Sequence, residues 1–295
     1  MTFQRALTRL TIGTLAAGLL SLPALAADPI KIGMTVSSSG NFALASQSGE
    51  RGVELWVKEV NDKGGVTING EKHLVELVKR DDRSDKQMVA RVYEDLINED
   101  KVDILMAPFG STLTAAAATI SERYKKFMNV WSASSNAVYE QGFNYIVSTT
   151  QMPVSAIPGA PLALAKDMGM AKMAIINVDE PYPAGLAKAA NANAKELGID
   201  IVMFDTYPKG TKDFALMLQK AKAMGADALF TAAYEGDQMS MAHQMKQMGI
   251  SFPYVYMNYA VQPQFDEVGD AADYVFATTT LPPCRKLADQ CRHGP

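Results

Sequence analysis

The strongest constraint on this chain is its rhythm, in which short, almost continuously apolar runs alternate with amphipathic ones. IKIGMTV (30–36) precedes SGERGVELWVKEVND (48–62), LVELVKR (74–80) precedes SDKQMVARVYEDLINED (84–100), and DILMA (103–107) precedes TLTAAAATISERYKK (112–126). MNVWS (128–132) and YIVST (145–149) follow as further apolar runs. The alternation then resumes, with KMAIINV (172–178), IDIVMFD (199–205), DALFTAA (227–233) and PYVYM (253–257) as the apolar members. Period-2 or continuous apolar runs read as strands, and the 3.6-residue stripe Val53, Trp56, Val57, Val60 reads as a helix face. Ser84 is the expected N-cap of the second helix. Gly169, Gly198, Gly225 and Gly249 each fall just past a helical run, where a left-handed residue ends a helix. Repeated βα units of this kind specify parallel sheets covered by helices on both faces. The expected fold class is α/β, with two Rossmann-like doubly wound lobes crossing over near STTQMP (148–153).

The two ends of the chain read differently. Arg5 and Arg9, the apolar TIGTLAAGLLSL and the small-x-small Ala24–Ala26 make residues 1–26 a secretory signal peptide. A mature chain from about Ala27 is expected in the periplasm, soluble, and its loss of two arginines takes the formal charge from −4 to −6. Lobe 1 is expected over 27–149, lobe 2 over 150–279, and an atypical tail over 280–295. That tail, LPPCRKLADQCRHGP, holds both cysteines, Cys284 and Cys291, and reads as a frameshifted or truncated ending. An acidic balance with 48% apolar residues gives no basis for nucleic-acid binding.

In open α/β sheets, ligands bind beyond the carboxyl ends of strands. The loops there read SSSGNFALAS (37–46), PFGST (108–112), SASSN (132–136), DEPYPAG (179–185), YEGD (234–237) and NYAVQP (258–263). They are rich in Ser, Gly, Asn and aromatics and poor in histidine and paired carboxylates. No G-x-G-x-x-G or G-x-x-x-x-G-K-[ST] occurs, so nucleotide cofactors lack their signatures, and no cofactor is expected. His73, His243 and His293 are scattered, which gives no metal site. FGST lacks the second glycine of a nucleophile elbow, so a secreted hydrolase is the weaker alternative and an enzyme is not expected. Asp81 and Asp82 read as a strand end and helix cap rather than as catalytic carboxylates. A helix start with free N–H groups beside Ser and Thr instead suits a small carboxylate, and GST (110–112) and SASSN both offer one. Phe42, Phe109, Trp131, Tyr182, Tyr234 and Tyr259 lie near these loops and could wall an apolar ligand part.

In this order, IKIGMTVSSSGNFA, NDKGG (61–65), DDRSD (81–85), GSTLTAAAATISERYKKFMNVWSASSN, DEPYPAG and PKGTKDF (208–214) resemble the type I periplasmic solute-binding proteins of ABC transporters. The likeness is to the branched-chain amino acid (Leu/Ile/Val) group and its amide- and carboxylate-binding relatives, and it runs from about Ile30 to Thr280. It implies two lobes joined by a hinge, a small-molecule solute held between them, and a membrane permease as partner to a monomer. It also implies a ligand carboxylate held by Ser111, Ala133 and Ser135 and flanked by Phe42 and Tyr182; Ser39, Phe109, Gly110, Ser134, Tyr234 and Tyr259, from the same loops, complete the expected ligand-binding set. Tyr259 stands where amino-acid binders carry an acidic partner for the ammonium, with Asp237 or Asp179 as substitutes. A buried ammonium without a counter-charge is costly. The expected solute is therefore a branched-chain type amino acid, an amide or a carboxylate, with an aromatic or aliphatic carboxylic acid as the alternative. The family's chain continues well beyond the run YVFATTT, so the atypical tail also implies a lobe 1 without its closing elements.

Overall fold

The computed structural model of the protein describes residues 27–149 and 152–278. The signal peptide read at 1–26 and the tail with its two cysteines lie outside the described residues. Strands β1 (Ala27–Val36), β2 (Val66–Ile68), β3 (Glu71–Asp81), β4 (Ile104–Met106), β5 (Met128–Val130) and β6 (Ile146–Ser148) form one sheet in the order β2-β3-β1-β4-β5-β6. Strands β7 (Lys172–Val178), β8 (Asp200–Tyr207), β9 (Ala228–Ala232), β10 (Tyr254–Met257) and β11 (Val275–Phe276) form the second, in the order β11-β10-β9-β7-β8. Apart from the β2–β3 hairpin, every pairing is parallel. In each sheet the chain therefore runs first to one side of a strand and then crosses to its other side, around β1 in the first (β3, then β4) and around β7 in the second (β8, then β9). These are the switch points at which loops diverge and leave a crevice. The fold is α/β with two parallel-sheet lobes.

Helices α1 (Ala43–Asp62), α2 (Lys86–Asn98), α3 (Ser111–Tyr124) and the short α4 (Asn136–Tyr139) accompany the first sheet. Helices α5 (Gly159–Asp167), α6 (Pro181–Glu196), α7 (Ala215–Ala223), α8 (Glu235–Met248) and a 3₁₀ segment (Pro263–Ala272) accompany the second. β7 spans the run KMAIINV residue for residue, and Met173 through Val178 are all buried, as a central parallel strand requires. The four glycines after α5, α6, α7 and α8 all take positive φ.

Three local expectations are corrected. The N-cap of α2 is Asp85, whose carboxylate accepts from the N–H groups of Gln87 and Met88; Ser84 sits in the left-handed region one residue earlier. From there its hydroxyl donates to Ser39 O at 2.7 Å, tying the β1 loop to the β3 loop. Nor does Asp82 cap the helix: fully buried, it accepts from Thr35, Ser37 and the Ser84 N–H, locking the end of β3 to the end of β1. On α1 only Val53 of the apolar stripe is buried, against Met34 and Val36, and Trp56 is 46% exposed. The stripe shares a helix face, but the described sheet reaches under only part of it. β2, a three-residue strand, is made by Asn69-Gly70 at φ 52° and 90°, the left-handed pair of a tight hairpin turn.

Candidate functional site

The β1, β4, β5, β7, β9 and β10 loops converge between the lobes. Phe42 from the first lobe meets Tyr234 from the second edge-on, with ring centroids 4.9 Å apart, and Phe109 lies 5.9 Å from both Phe42 and Trp131. Tyr234 also neighbours Tyr182 at 6.3 Å and Tyr259 at 6.1 Å. Offset and edge-to-face contacts of this kind add about 0.5–1.5 kcal/mol per pair beyond burial. Beside this cluster lies a cavity of about 350 Å³, a size suited to a small organic molecule.

Its floor on the first lobe begins at Gly110, the residue before α3, at φ 83°. A Cβ there would only touch the Tyr234 hydroxyl, at 3.9 Å, so the glycine is needed for its positive φ and not for space. No side chain caps α3. Its first N–H groups and partial positive charge are thus available to an anion at the cavity's edge. The Gly110 N–H itself donates to Ser132 Oγ at 2.9 Å, and the Trp131 indole donates to Ala107 O at 2.6 Å. Trp131 reaches α1 as it does only because residue 49 is glycine: a Cβ would fall 2.0 Å from its ring.

On the second lobe, Tyr182, Tyr234, Tyr256, Asn258 and Tyr259 line the cavity. Burial pushes the phenols of Tyr182, Tyr234 and Tyr259 well above their ordinary range, reinforced by neighbouring tyrosines and, at Tyr234, by Glu180. They stay protonated at neutral pH and act as donors. The buried Tyr234 hydroxyl makes no hydrogen bond of good geometry to the protein, although the nearby Thr112 side chain pulls its pKa slightly down. Asn258 Nδ2 donates to Tyr182 Oη at 3.4 Å, and Asn258 Oδ1 accepts from Gln238 Nε2 at 2.8 Å. The lining holds no charged side chain among the described residues.

A second cavity of about 170 Å³ lies behind Phe109 and Tyr234, and there Glu180, Lys209, Lys212, Glu235 and Asp237 gather. Lys209 pairs with Glu180 at 3.1 Å and places its ammonium 4.8 Å from the centre of the Phe42 ring. Thr112, on α3 of the first lobe, donates to the same Glu180 carboxylate. Gln264 Nε2 donates to Ser48 Oγ at 3.2 Å, a second bond between the lobes. The two lobes are therefore clasped on both sides of the aromatic cluster.

Of the residues singled out in sequence, Phe109, Gly110, Ser134, Tyr182, Tyr234 and Tyr259 line the main cavity. The other five do not. Ser111 is 1% exposed and its Oγ accepts from the Ser135 N–H at 3.1 Å, which joins the two anion-suited loops to each other. Ala133 is buried and its carbonyl accepts from Tyr139. Phe42 packs inside the aromatic cluster, and Ser39 is an exposed loop residue. Asp237 accepts from Tyr207 and borders the smaller cavity, while Asp179 is exposed. Neither replaces the acid expected near Tyr259. Trp131 was flagged only as a nearby aromatic, and Ser132, Tyr256 and Asn258 were not singled out; each ends a strand or opens the loop after one, the signal that could have found them.

Two Rossmann-like lobes clasped around a polar-ended, aromatic-walled cleft define a solute-binding protein. A sequence model described as periplasmic binding protein matches residues 29–290, and the chain belongs to that family. It is 30% identical over 285 residues to the Leu/Ile/Val-binding protein homolog 8 of Brucella suis, covering 92% of this chain and 69% of that one. Among solved structures it is similar to a Rhodopseudomonas palustris ABC transporter solute-binding protein in complex with 4-hydroxybenzoate, with a TM-score of 0.71 and 25% identity. That match covers 83% of this chain and 66% of the R. palustris chain, just under two thirds of its length. The Streptococcus pneumoniae branched-chain amino acid transporter substrate-binding protein LivJ, in complex with isoleucine, shares the fold at a TM-score of 0.75 and 23% identity, over 88% of this chain and 74% of that one.

Proposed function

We propose that the protein works in the periplasm, captures a small organic carboxylate in the 350 Å³ cavity between its lobes, and presents it to the permease of an ABC importer. The observation that carries this is the pairing of an uncapped helix start at Gly110 with an aromatic-walled cavity that, among the described residues, is lined by no ionised side chain. The helix start and the Tyr234 hydroxyl receive the carboxylate. Phe109, Trp131 and the tyrosines cover the apolar body. Ser111, Ser135 and Ala133 act one layer back, by holding the two loops in register. Lobe boundaries near 149 and 279 and a hinge closure favoured by ligand contacts belong to this reading.

The alternative is a branched-chain amino acid, which the name of the Brucella relative and the isoleucine in the pneumococcal protein support. Against it stands the lining itself, which offers an ammonium no carboxylate. A hydrolase finds no histidine or carboxylate among the described residues that line the cavity to serve as base. The test is a thermal-shift and calorimetric screen of the purified protein against benzoate, 4-hydroxybenzoate, leucine, isoleucine and simple amides. Carboxylates without an ammonium should raise the melt and bind stoichiometrically, since a ligand of the native state stabilises by mass action. Silence from all of these acids, or turnover of an ester, would refute the proposal.

A further inference from the structure

Gln238 has no contact with the cavity, yet it determines what the far end of the cavity offers. It is fully buried in the first turns of α8, over the carboxyl ends of β9 and β10. Its amide is oriented by two backbone groups whose chemistry leaves no choice. The Tyr259 N–H, which can only donate, lies 2.9 Å from Oε1. The Thr231 carbonyl, which can only accept, lies 3.1 Å from Nε2, with Thr231 Oγ1 at 2.9 Å. That hydroxyl gives its own proton to Tyr256 O at 3.1 Å, so it accepts from Gln238. Nε2 can only donate and shares its two protons among these oxygens and the Asn258 atom 2.8 Å away, so that Asn258 atom must be the oxygen. The Asn258 NH₂ group is left facing Tyr182 Oη, at 3.4 Å, on the cavity wall.

We infer that Gln238 is a specificity-determining positioning residue: by fixing the Asn258 amide it makes the far end of the cavity a donor end that selects a carboxylate carrying a second hydrogen-bond acceptor and no cationic group. This rests on the proposed carboxylate reading and deepens it. Asn258 Nδ2 can only donate and the Tyr182 and Tyr259 hydroxyls each have a proton to give, so a hydroxyl, carbonyl or second carboxylate oxygen is met, while an ammonium faces the Asn258 NH₂ group with no carboxylate in the described lining to pair it. Buried polar groups built to meet an oxygen are left unpaired by an analogue lacking it, which is how such sites discriminate.

The experiment measures dissociation constants by calorimetry for benzoate, 4-hydroxybenzoate and 4-(aminomethyl)benzoate on three proteins. The unaltered protein should bind 4-hydroxybenzoate at least tenfold more tightly than benzoate, and 4-(aminomethyl)benzoate more weakly than either. In Asn258→Asp one carboxylate oxygen still accepts from Gln238 and the other faces the cavity, so the preference should invert, with 4-(aminomethyl)benzoate tightest. In Gln238→Met the Asn258 amide is free to turn. The advantage of 4-hydroxybenzoate over benzoate should then shrink to about threefold or less, while benzoate itself still binds. A loss of packing would weaken all three ligands together and leave their ratios unchanged, and that outcome overturns the inference. So does a Gln238→Met protein with the original ratios. Two variants are used so that, if one fails to fold, the other decides. If the unaltered protein binds none of the three, the carboxylate reading fails; if it binds all three alike, that reading survives and the role of Gln238 does not.

Discussion

Replacing Tyr234 with phenylalanine should move stability and affinity in opposite directions. The ring stays, with its edge-on contact to Phe42 at 4.9 Å and its neighbours Tyr182 and Tyr259, so apolar packing is conserved. Only the hydroxyl goes, and that hydroxyl is buried with no hydrogen bond of good geometry to the protein. An unsatisfied buried polar group costs about 1–3 kcal/mol. Its removal should stabilise the unliganded protein by up to that amount, a rise in melting temperature on the order of 2–10 °C for a chain of this size. If the solute's carboxylate accepts from this hydroxyl, the variant loses a hydrogen bond to a charged group. At about 1.5–3 kcal/mol, the dissociation constant should rise roughly 10- to 150-fold. Scanning calorimetry without solute and titration calorimetry with the tightest acid measure the two effects separately. A variant that melts lower and binds unchanged would refute the reasoning, because the hydroxyl would then be serving the fold and not the solute.

Gly49→Ala places a Cβ 2.0 Å from the Trp131 ring, with the helix backbone on one side and the cavity on the other. Overpacking of this kind costs about 1–3 kcal/mol, and because the ring lines the cavity, both the melt and solute affinity should fall. Thr112→Val removes the hydroxyl that reaches across the lobes to Glu180, so solute should dissociate several-fold faster in stopped-flow while association changes little. Glu235 is 3% exposed, neither carboxylate oxygen has a protein partner, and burial followed by the Glu267 charge raises its pKa above the ordinary 4.5. The folded protein holds this proton more tightly than the unfolded chain, so stability falls as pH rises through 4.5 and on past the raised folded value. Glu235→Gln should flatten the melting temperature against pH across that window, and an unchanged slope would place the pH dependence elsewhere.

The features legible in sequence are those written locally. β7 follows from one unbroken apolar run, and four helix ends follow from glycines that take left-handed φ. Loop order after strands also places Phe109, Gly110, Tyr182 and Tyr234 around one cavity, because switch points recur wherever a parallel sheet reverses its strand order. Where two local signals competed, sequence reasoning chose wrongly: Ser84 and Asp85 both make good caps, and only the loop geometry that spends Ser84 on Ser39 decides between them. The hairpin at β2 has too few residues for periodicity, and Asn69-Gly70 was its only mark.

The polarity of the cavity is illegible for a deeper reason. An asparagine side chain contains a donor and an acceptor whichever way it faces, so the residue type at 258 says nothing about which one a solute meets. That choice is made by Gln238, twenty residues earlier, and Gln238 is itself oriented by the carbonyl of Thr231 and the N–H of Tyr259. In the sequence, Gln238 sits among the polar residues of α8 and looks like a solvated helix position. Its role arises only because α8 crosses the ends of two adjacent parallel strands, which brings a β9 carbonyl and a β10-loop N–H within reach of one amide. The same holds for Thr112 and Glu180, sixty-eight positions apart, which meet only across the cleft. Residue types in the loops bound the chemistry of this site, and the pairing of distant backbone groups decides its sign.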